Sequence, residues 1–473
     1  MMLSTAQIIG YSNIAFGTSG ARGLVSDFTD DVCAAFATNF ITVMQRNYSF
    51  NRVAIGIDNR PSSQHMAFAV AGVVNALGLE VDYYGVLPTP ALAYQALKDM
   101  QPAIMITGSH IPFDRNGMKF YRPDGEINKA DENAILTLCV ALPSFSVREF
   151  KVSTKAAQSY LERYLNLYPV GSLLGKHIGI YEHSSSGRDL YYSLFETLGA
   201  KVTRLERSNS FVPIDTEAVS ESDKLKARNW SLQYKFDAIF STDGDGDRPL
   251  IADETGEWLR GDIVGLLCAK ALHIEALAVP VNCNTAIEKS GHFTKVVRTC
   301  IGSPFVISAF SDFTKQISYA GFEANGGFLL GSDVVVSGRL LKALPTRDAL
   351  LPGLVLLASI GSKKLSTMVN SLPRRFTASD RIQQVPTHLS KALLAEGLLS
   401  PNKLLNQLGL STREIQSLDQ TDGLRILFAD DDIIHLRPSG NAPELRCYAE
   451  STGQASAEAL VQTVLRALKV LIR

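Results

Sequence analysis

The chain has 473 residues, 46% of them hydrophobic and 20% charged, with 46 Lys plus Arg against 47 Asp plus Glu. That length provides for three or four domains at roughly 100–200 residues each. The near-zero net charge excludes a chain-wide electrostatic grip on nucleic acid or on an anionic membrane, so any anion site is local. The start, MMLSTAQIIGYSNIAFG, lacks the basic and apolar regions of a secretory signal. The most apolar stretch, around Leu350 to Ile360, is broken by Pro352 and Gly353 and falls short of the roughly 20 residues that a membrane span needs. Six widely spaced cysteines with no CxxC pattern read as reduced thiols. A cytoplasmic protein with no membrane and no nucleic-acid partner is expected.

In chain order, RVAIGID reads as a buried strand, MAFAVAGVVNALG as a helix, LEVDYYGV as a strand, PALAYQALK as a helix and AIMIT as a strand. This alternation implies parallel pairing in a layered α/β unit. The same order returns in HIGIY, DLYYSLFETLG, KVTRL and FDAIFS, and more loosely in AVPVN, TAIEKSG, TKVVRT and ISYAGFE. Three similar α/β domains are therefore expected, at 1–150, 151–256 and 257–372. From 373 to 473 the pattern changes: RILFAD, DDIIHLRPSG and ELRCYAES read as strands around turns, and AEALVQTVLRALKVLI as a closing helix, giving a smaller α+β domain.

The last strand of each copy runs into a Gly-rich polar loop: ITGSHIP, STDGDGDR and GFEANGG. Ligands gather beyond the carboxyl ends of strands in open α/β sheets. Asp243, Asp245 and Asp247 alternate with glycines, and three hard oxygen donors that close suit Mg²⁺, against the plainer reading of a solvated acidic turn. Together with Glu254 they fall at positions 1, 3, 5 and 12 of an EF-hand register, but Arg248 stands where that loop needs glycine and a strand precedes it. Ser109 is expected to stand exposed at a strand end, as a nucleophile, a phosphoacceptor or merely a local cap. Its neighbour His110 is poorly placed by sequence to act as its base, and no GxSxG elbow is present. Lys119, in NGMK, is either an acid–base group or a surface lysine. Arg437, Ser439, Gly440 and Asn441 combine the parts of a phosphate nest within RPSGNAP, which is otherwise an ordinary turn. No GxxxxGK[ST] loop occurs.

Taken in order, FGTSGARG, TGSHIP with NGMK, DGDGDR, FEANGG and RPSGNAP resemble the α-D-phosphohexomutase superfamily of phosphomannomutases, phosphoglucomutases and phosphoglucosamine mutases. The resemblance implies four domains around a central cleft, a phosphoserine at Ser109 beside His110, and Mg²⁺ held by that phosphate with Asp243, Asp245 and Asp247. It further implies that Arg22 and Arg248 face the transferring phosphoryl group and that Lys119 is the acid or base. Glu323 and Asn325 would hold sugar hydroxyls, and Arg437, Ser439, Gly440 and Asn441 the remaining phosphate. A hexose 1-phosphate would become a 6-phosphate through a bisphosphorylated sugar, with hexose 1,6-bisphosphate as activator. Many members read TASHNP and GExSGH where this chain reads TGSHIP and FEANGG, and many bacterial members carry a lysine and a histidine near Asn282 and Ser303. The expected substrate is a mannose phosphate, with glucose, glucosamine or N-acetylglucosamine phosphates as alternatives. The rival classes are a metal-dependent phosphatase and a noncatalytic sugar-phosphate binder.

Overall fold

The computed structural model describes residues 3–17, 20–361, 363–439 and 443–472. They form two compact units: Met1–Ile274 with Lys315–Met368, and Glu275–Thr314 with Val369–Arg473.

In the first unit, the strands Glu80–Val86, Arg52–Ile57 and Ala103–Ile106 pair in parallel, in that spatial order, and Arg115–Arg122 closes on Ala103–Ile106 antiparallel. Gly20–Leu24 and Ala15–Gly17 extend the same sheet. Arg52–Ile57 is apolar on both faces because helices cover both, as parallel sheets require. Those helices are Ser63–Ala76 and Thr89–Asp99, and a further helix, Asp30–Gln45, packs on the first and contributes Phe36 and Phe40 to the core, where Phe40 meets Phe120 at 5.0 Å between ring centroids.

The second copy repeats this order. Lys201–Arg207, His177–His183 and Ala238–Thr242 are parallel, and Pro249–Ala252 returns antiparallel beside the last. Tyr319–Phe322, Phe328–Leu330 and Leu344–Asp348 form antiparallel neighbours in the same unit. Each of the three polar loops therefore lies at the tip of an antiparallel hairpin, spanning residues 107–114, 243–248 and 323–327. A tip held by ladder hydrogen bonds on both sides has little freedom, which favours precise side-chain placement.

In the second unit, Ala276–Pro280 and Lys295–Thr299 are parallel. The expected C-terminal α+β element is an antiparallel sheet ordered Phe376–Gln383, Glu444–Ser451, Ile433–Pro438, Leu424–Phe428, Ile415–Asp419. The helix Gln454–Leu471 buries Leu460, Val461, Val464, Leu465 and Leu468, the stripe of a 3.6-residue period, in the core with Ile426, Phe428 and Leu436.

Candidate active site

The first tip is built around Arg60. Its five guanidinium N–H groups all have acceptors: Asp58 Oδ2 (3.1 Å) and the carbonyls of Ser109 (2.9 Å), Ile111 (2.5 Å), Pro112 (2.7 Å) and Arg115 (3.0 Å). The Phe211 ring lies 3.9 Å from its Cζ. Asp58 also accepts from Ser63 Oγ (2.6 Å) and Thr107 Oγ1 (2.8 Å), and Thr107 Oγ1 accepts the amide of Ser109 (2.8 Å). This scaffold explains Gly108, since a Cβ there would lie 2.6 Å from Arg60 Cζ.

Ser109 is fully buried, which corrects the expectation of an exposed serine. The backbone turns left-handed at this residue (φ 54°), and Oγ points inward to donate to Asp243 Oδ2 at 2.6 Å. The acidic tip covers it.

The three aspartates are buried and converge, with one oxygen from each within 4.8 Å of the others. Asp243 Oδ1 accepts the amides of Asp247 and Arg248, both at 3.2 Å, which curls the tip around that carboxylate. Asp245 Oδ2 accepts from Thr89 Oγ1 (2.7 Å) and Lys119 Nζ (2.6 Å), and its carbonyl takes the Thr89 amide (2.8 Å). Thr89 begins the helix Thr89–Asp99, so this acid also sits at the positive end of a helix dipole. Asp247 Oδ2 accepts from Lys119 Nζ (2.7 Å) and from Arg347 Nη2 (2.8 Å) and Nε (3.1 Å). Lys119 is therefore not a surface lysine; it is buried between two carboxylates.

Burial and the adjacent Asp245 and Asp247 charges push the Asp243 carboxyl well above the usual carboxylate range. Burial has the same tendency at Asp245 and Asp247, but Lys119 outweighs it at the first and Arg347 with Lys119 at the second, holding both low. Asp245 Oδ1 and Asp247 Oδ1 are buried without a hydrogen-bond partner. Unsatisfied buried anionic oxygens are costly. Two such atoms in an all-oxygen donor set fit a hard divalent cation such as Mg²⁺.

Arginines border the triad. Arg248 Nη1 lies 2.8 Å from His110 Nδ1, and its Nε is 3.7 Å from Asp247 Oδ1 and 3.9 Å from Asp243 Oδ2. Burial and the Arg248 charge bring His110 down to about 3, so the imidazole is neutral at physiological pH and accepts from the guanidinium. His110 Nδ1 is 3.5 Å from Ser109 Oγ. Arg22, half-buried on Gly20–Leu24 opposite Gly117, is lowered to about 10 by burial and by Arg248.

At the third tip, Glu323 and Asn325 are both buried. Asn325 Oδ1 accepts the Gly327 amide at 3.0 Å, and Glu323 Oε2 accepts from Arg347 Nη1 at 2.9 Å. Burial would lower Arg347, but the carboxylates of Asp247, Glu323 and Glu126 outweigh it and hold the guanidinium well above its ordinary value. In the second unit, Arg437 Nε pairs with Asp422 Oδ2 at 2.7 Å, and the buried Ser439 donates its amide to the Glu444 carbonyl at 2.8 Å. Gly440 and Asn441 lie outside the described residues. Sequence reasoning missed Arg347, Arg60, Asp58 and Thr89. Only the spacing of Asp58 and Arg60 just after a strand end offered a signal.

Two family models match the chain: Phosphoglucomutase/phosphomannomutase, alpha/beta/alpha domain I, over residues 13–141, and Phosphoglucomutase/phosphomannomutase, C-terminal domain, over residues 373–467. A phosphomannomutase of Salmonella muenchen is 56% identical over 98% of this chain and 98% of its own length. One of Sinorhizobium fredii is 41% identical over 96% and 98%. Among solved structures, a phosphoglucomutase/phosphomannomutase family protein of Burkholderia thailandensis has a TM-score of 0.76 at 19% identity, covering 99% of this chain and 98% of that one. At that identity the likeness speaks for the fold alone. An N-acetylphosphoglucosamine mutase of Aspergillus fumigatus, solved with GlcNAc-6P and magnesium, has a TM-score of 0.56 at 12% identity, over 99% and 98%.

Proposed function

The chain belongs to the phosphoglucomutase/phosphomannomutase family of α-D-phosphohexomutases, and from that premise we propose that it is a magnesium-dependent phosphomannomutase working through phospho-Ser109. The observation that carries this reading is the 2.6 Å contact between the buried Ser109 Oγ and one carboxylate of a converging acidic triad.

Phosphoryl transfer spreads negative charge over equatorial oxygens, so positioning and electrostatics do most of the work. In the forward direction, the bond from phosphorus to Ser109 Oγ breaks and a bond to a sugar hydroxyl forms. The hydroxyl's proton ends on the Ser109 oxygen that leaves, and the bisphosphorylated sugar turns round to return its other phosphoryl group to Ser109, with the proton moving back. Lys119, a cation between Asp245 and Asp247, is assigned the proton relay: it gives its proton to the departing Ser109 oxygen and takes up the proton of the sugar hydroxyl, ending as it began. Arg22 and Arg248 face the transferring group, with neutral His110 orienting Arg248. Mg²⁺, when bound, supplies charge neutralisation to the phosphoryl oxygens, and Asp243, Asp245 and Asp247 would hold it. Glu323 and Asn325 hold sugar hydroxyls, and Arg437, Ser439, Gly440 and Asn441 hold the phosphate that is not moving.

The domain partition at 150, 256 and 373, the hexose 1,6-bisphosphate activator and a cytoplasmic setting belong to the same proposal. Cys33, Cys139, Cys268, Cys300 and Cys447 are free thiols, which fits a reducing compartment. Mannose is the proposed sugar because the 56%-identical relative is a phosphomannomutase, with glucose phosphate as second substrate.

The test is to offer mannose 1-phosphate with Mg²⁺ and trace mannose 1,6-bisphosphate to the wild type and to Ser109→Ala. Mannose 6-phosphate from the wild type alone, with phosphate mapped to Ser109, is the expected result. Free phosphate as the main product would make the protein a phosphatase. Full turnover with Ser109 never phosphorylated would end the relay.

A further inference from the structure

Arg347 joins two parts of the site that the sequence keeps far apart. Its Nη1 donates to Glu323 Oε2 at 2.9 Å, while Nη2 and Nε reach Asp247 Oδ2 at 2.8 and 3.1 Å. All three side chains are nearly inaccessible, at 4%, 6% and 1% exposure for Arg347, Glu323 and Asp247. A buried carboxylate is costly unless paired. Among the described residues, Arg347 is the cation paired with Glu323.

The placement of Arg347 is itself over-determined. It lies on the strand Leu344–Asp348, where alternate side chains take opposite faces. Both flanking side chains are tied down: Thr346 Oγ1 donates to Glu126 Oε1 at 2.7 Å, and Asp348 accepts from Tyr160 OH at 2.7 Å and from Tyr164 OH. Asp348 also takes the Leu350 amide at 2.9 Å, at the start of the helix Leu350–Ser359. On the other side, the Arg347 stem lies on Gly327, where a Cβ would come within 2.7 Å of Cδ. A guanidinium fixed this firmly fixes its carboxylate partner.

We propose that Arg347 is a positioning residue that aligns the Glu323 side chain for the sugar hydroxyls and keeps it in register with Asp247 of the acidic triad. The inference rests on the reading of Glu323 as a sugar ligand and deepens it. By this logic, the planar fork of arginine is needed and lysine serves poorly, because one ammonium cannot reproduce the two-sided contact.

The test is a cycle between protein and substrate. Wild type, Arg347→Met and Arg347→Lys are assayed with a hexose 1-phosphate and with its 3-deoxy and 4-deoxy analogues. Arg347→Met is expected to lower kcat/KM for the parent sugar roughly 10- to 100-fold, the scale of a lost hydrogen bond to a charged group. The penalty for removing the Glu323-bound hydroxyl, expected to be at least about tenfold in the wild type, should shrink to less than about twofold in the variant, because coupled contacts are not additive. Arg347→Lys should recover only part of the rate. Glu323→Gln with Arg347→Met should be no slower than Glu323→Gln alone, which gives a second readout if one single variant folds poorly. Equal deoxygenation penalties in wild type and Arg347→Met, or fully multiplicative losses in the double variant, would overturn the proposal. Using glucose 1-phosphate alongside mannose 1-phosphate separates this outcome from failure of the substrate assignment, which would appear as no mannose turnover by the wild type.

Discussion

Replacing Arg60 with methionine removes a cation that touches no expected substrate and yet holds the serine tip in shape. The substitution leaves Asp58 without its guanidinium and removes a donor from the carbonyls of Ser109, Ile111, Pro112 and Arg115, of which Pro112 keeps the Arg115 amide at 3.2 Å. Breaking a buried ion pair by deleting one partner costs about 3–5 kcal/mol. Ser63 and Thr107 still donate to Asp58 and soften that cost, while the four carbonyls add to it. At 1.4 kcal/mol per decade, about 3–5 kcal/mol makes opening of the tip roughly two to three and a half decades more frequent. The assay is hydrogen exchange at the amides of residues 107–114, read beside the rate at which the bisphosphate phosphorylates Ser109. Exchange should accelerate by that factor locally and phosphorylation should slow, while exchange in Ile433–Pro438 stays unchanged. Arg60→Lys should fall between, because an ammonium has three donors for five acceptors. If Arg60→Met exchanges and phosphorylates within threefold of wild type, the network is ornamental and the account of the tip is wrong.

Three further outcomes follow from the site and its surroundings. Asp245→Asn should raise the Mg²⁺ concentration for half-maximal rate by roughly 10–100-fold or more, a scale that even the outer partners of metal ligands reach. Chelation should abolish wild-type turnover without Ca²⁺ restoring it, and an unchanged metal dependence would make the triad an ordinary acidic turn. Burial lowers His183 from about 6.5 to about 4, so the unfolded chain takes up a proton that the folded chain refuses across that window. Its contribution to stability is complete above pH 6.5 and is lost as pH falls toward 4. The urea midpoint should therefore drop less between pH 7.5 and 5 in His183→Asn than in wild type, and equal drops would contradict this. Arg437→Ala should raise KM about 10- to 150-fold, the equivalent of a charge-assisted contact of roughly 1.5–3 kcal/mol. Ser109 phosphorylation should suffer less, and an unchanged KM would place the distal phosphate elsewhere.

The sequence made contiguous features legible. Asp243, Asp245 and Asp247 lie within five residues of chain, and their chemistry needs no tertiary information to be suspected. The apolar runs RVAIGID, HIGIY and AVPVN read as strands, and strands stand at Arg52–Ile57, His177–His183 and Ala276–Pro280, the third of them starting two residues earlier than its run suggested. Arg347 was illegible for the opposite reason. One arginine among the three charged residues of KALPTRDAL carries no local signal, and only folding brings it to Asp247, 100 residues away. Arg60 was hidden in the same way, because its acceptors are main-chain carbonyls, which every sequence has. The orientation of Ser109 went wrong because exposure was inferred from its place at a strand end. A left-handed φ and a neighbouring acidic tip, neither visible locally, turned its hydroxyl inward.

The shared hairpin setting of the three tips has a consequence for how such a molecule diversifies. In each, a ladder holds both ends, at Ile106 with Met118, Thr242 with Pro249, and Phe322 with Phe328. The residues between can change while the strands that present them stay in register. On the roles proposed above, hairpin scaffolds of this kind let one tip carry a nucleophile, another a cluster of acids and a third a sugar ligand, joined only through contacts such as Ser109 with Asp243. On the proposed role of this third tip, substrate range drifts most readily through residues 324–327, because Glu323 and its supporting strand are tied through Arg347 to Asp247 of the acidic triad. Relatives with different sugars are expected to differ first there.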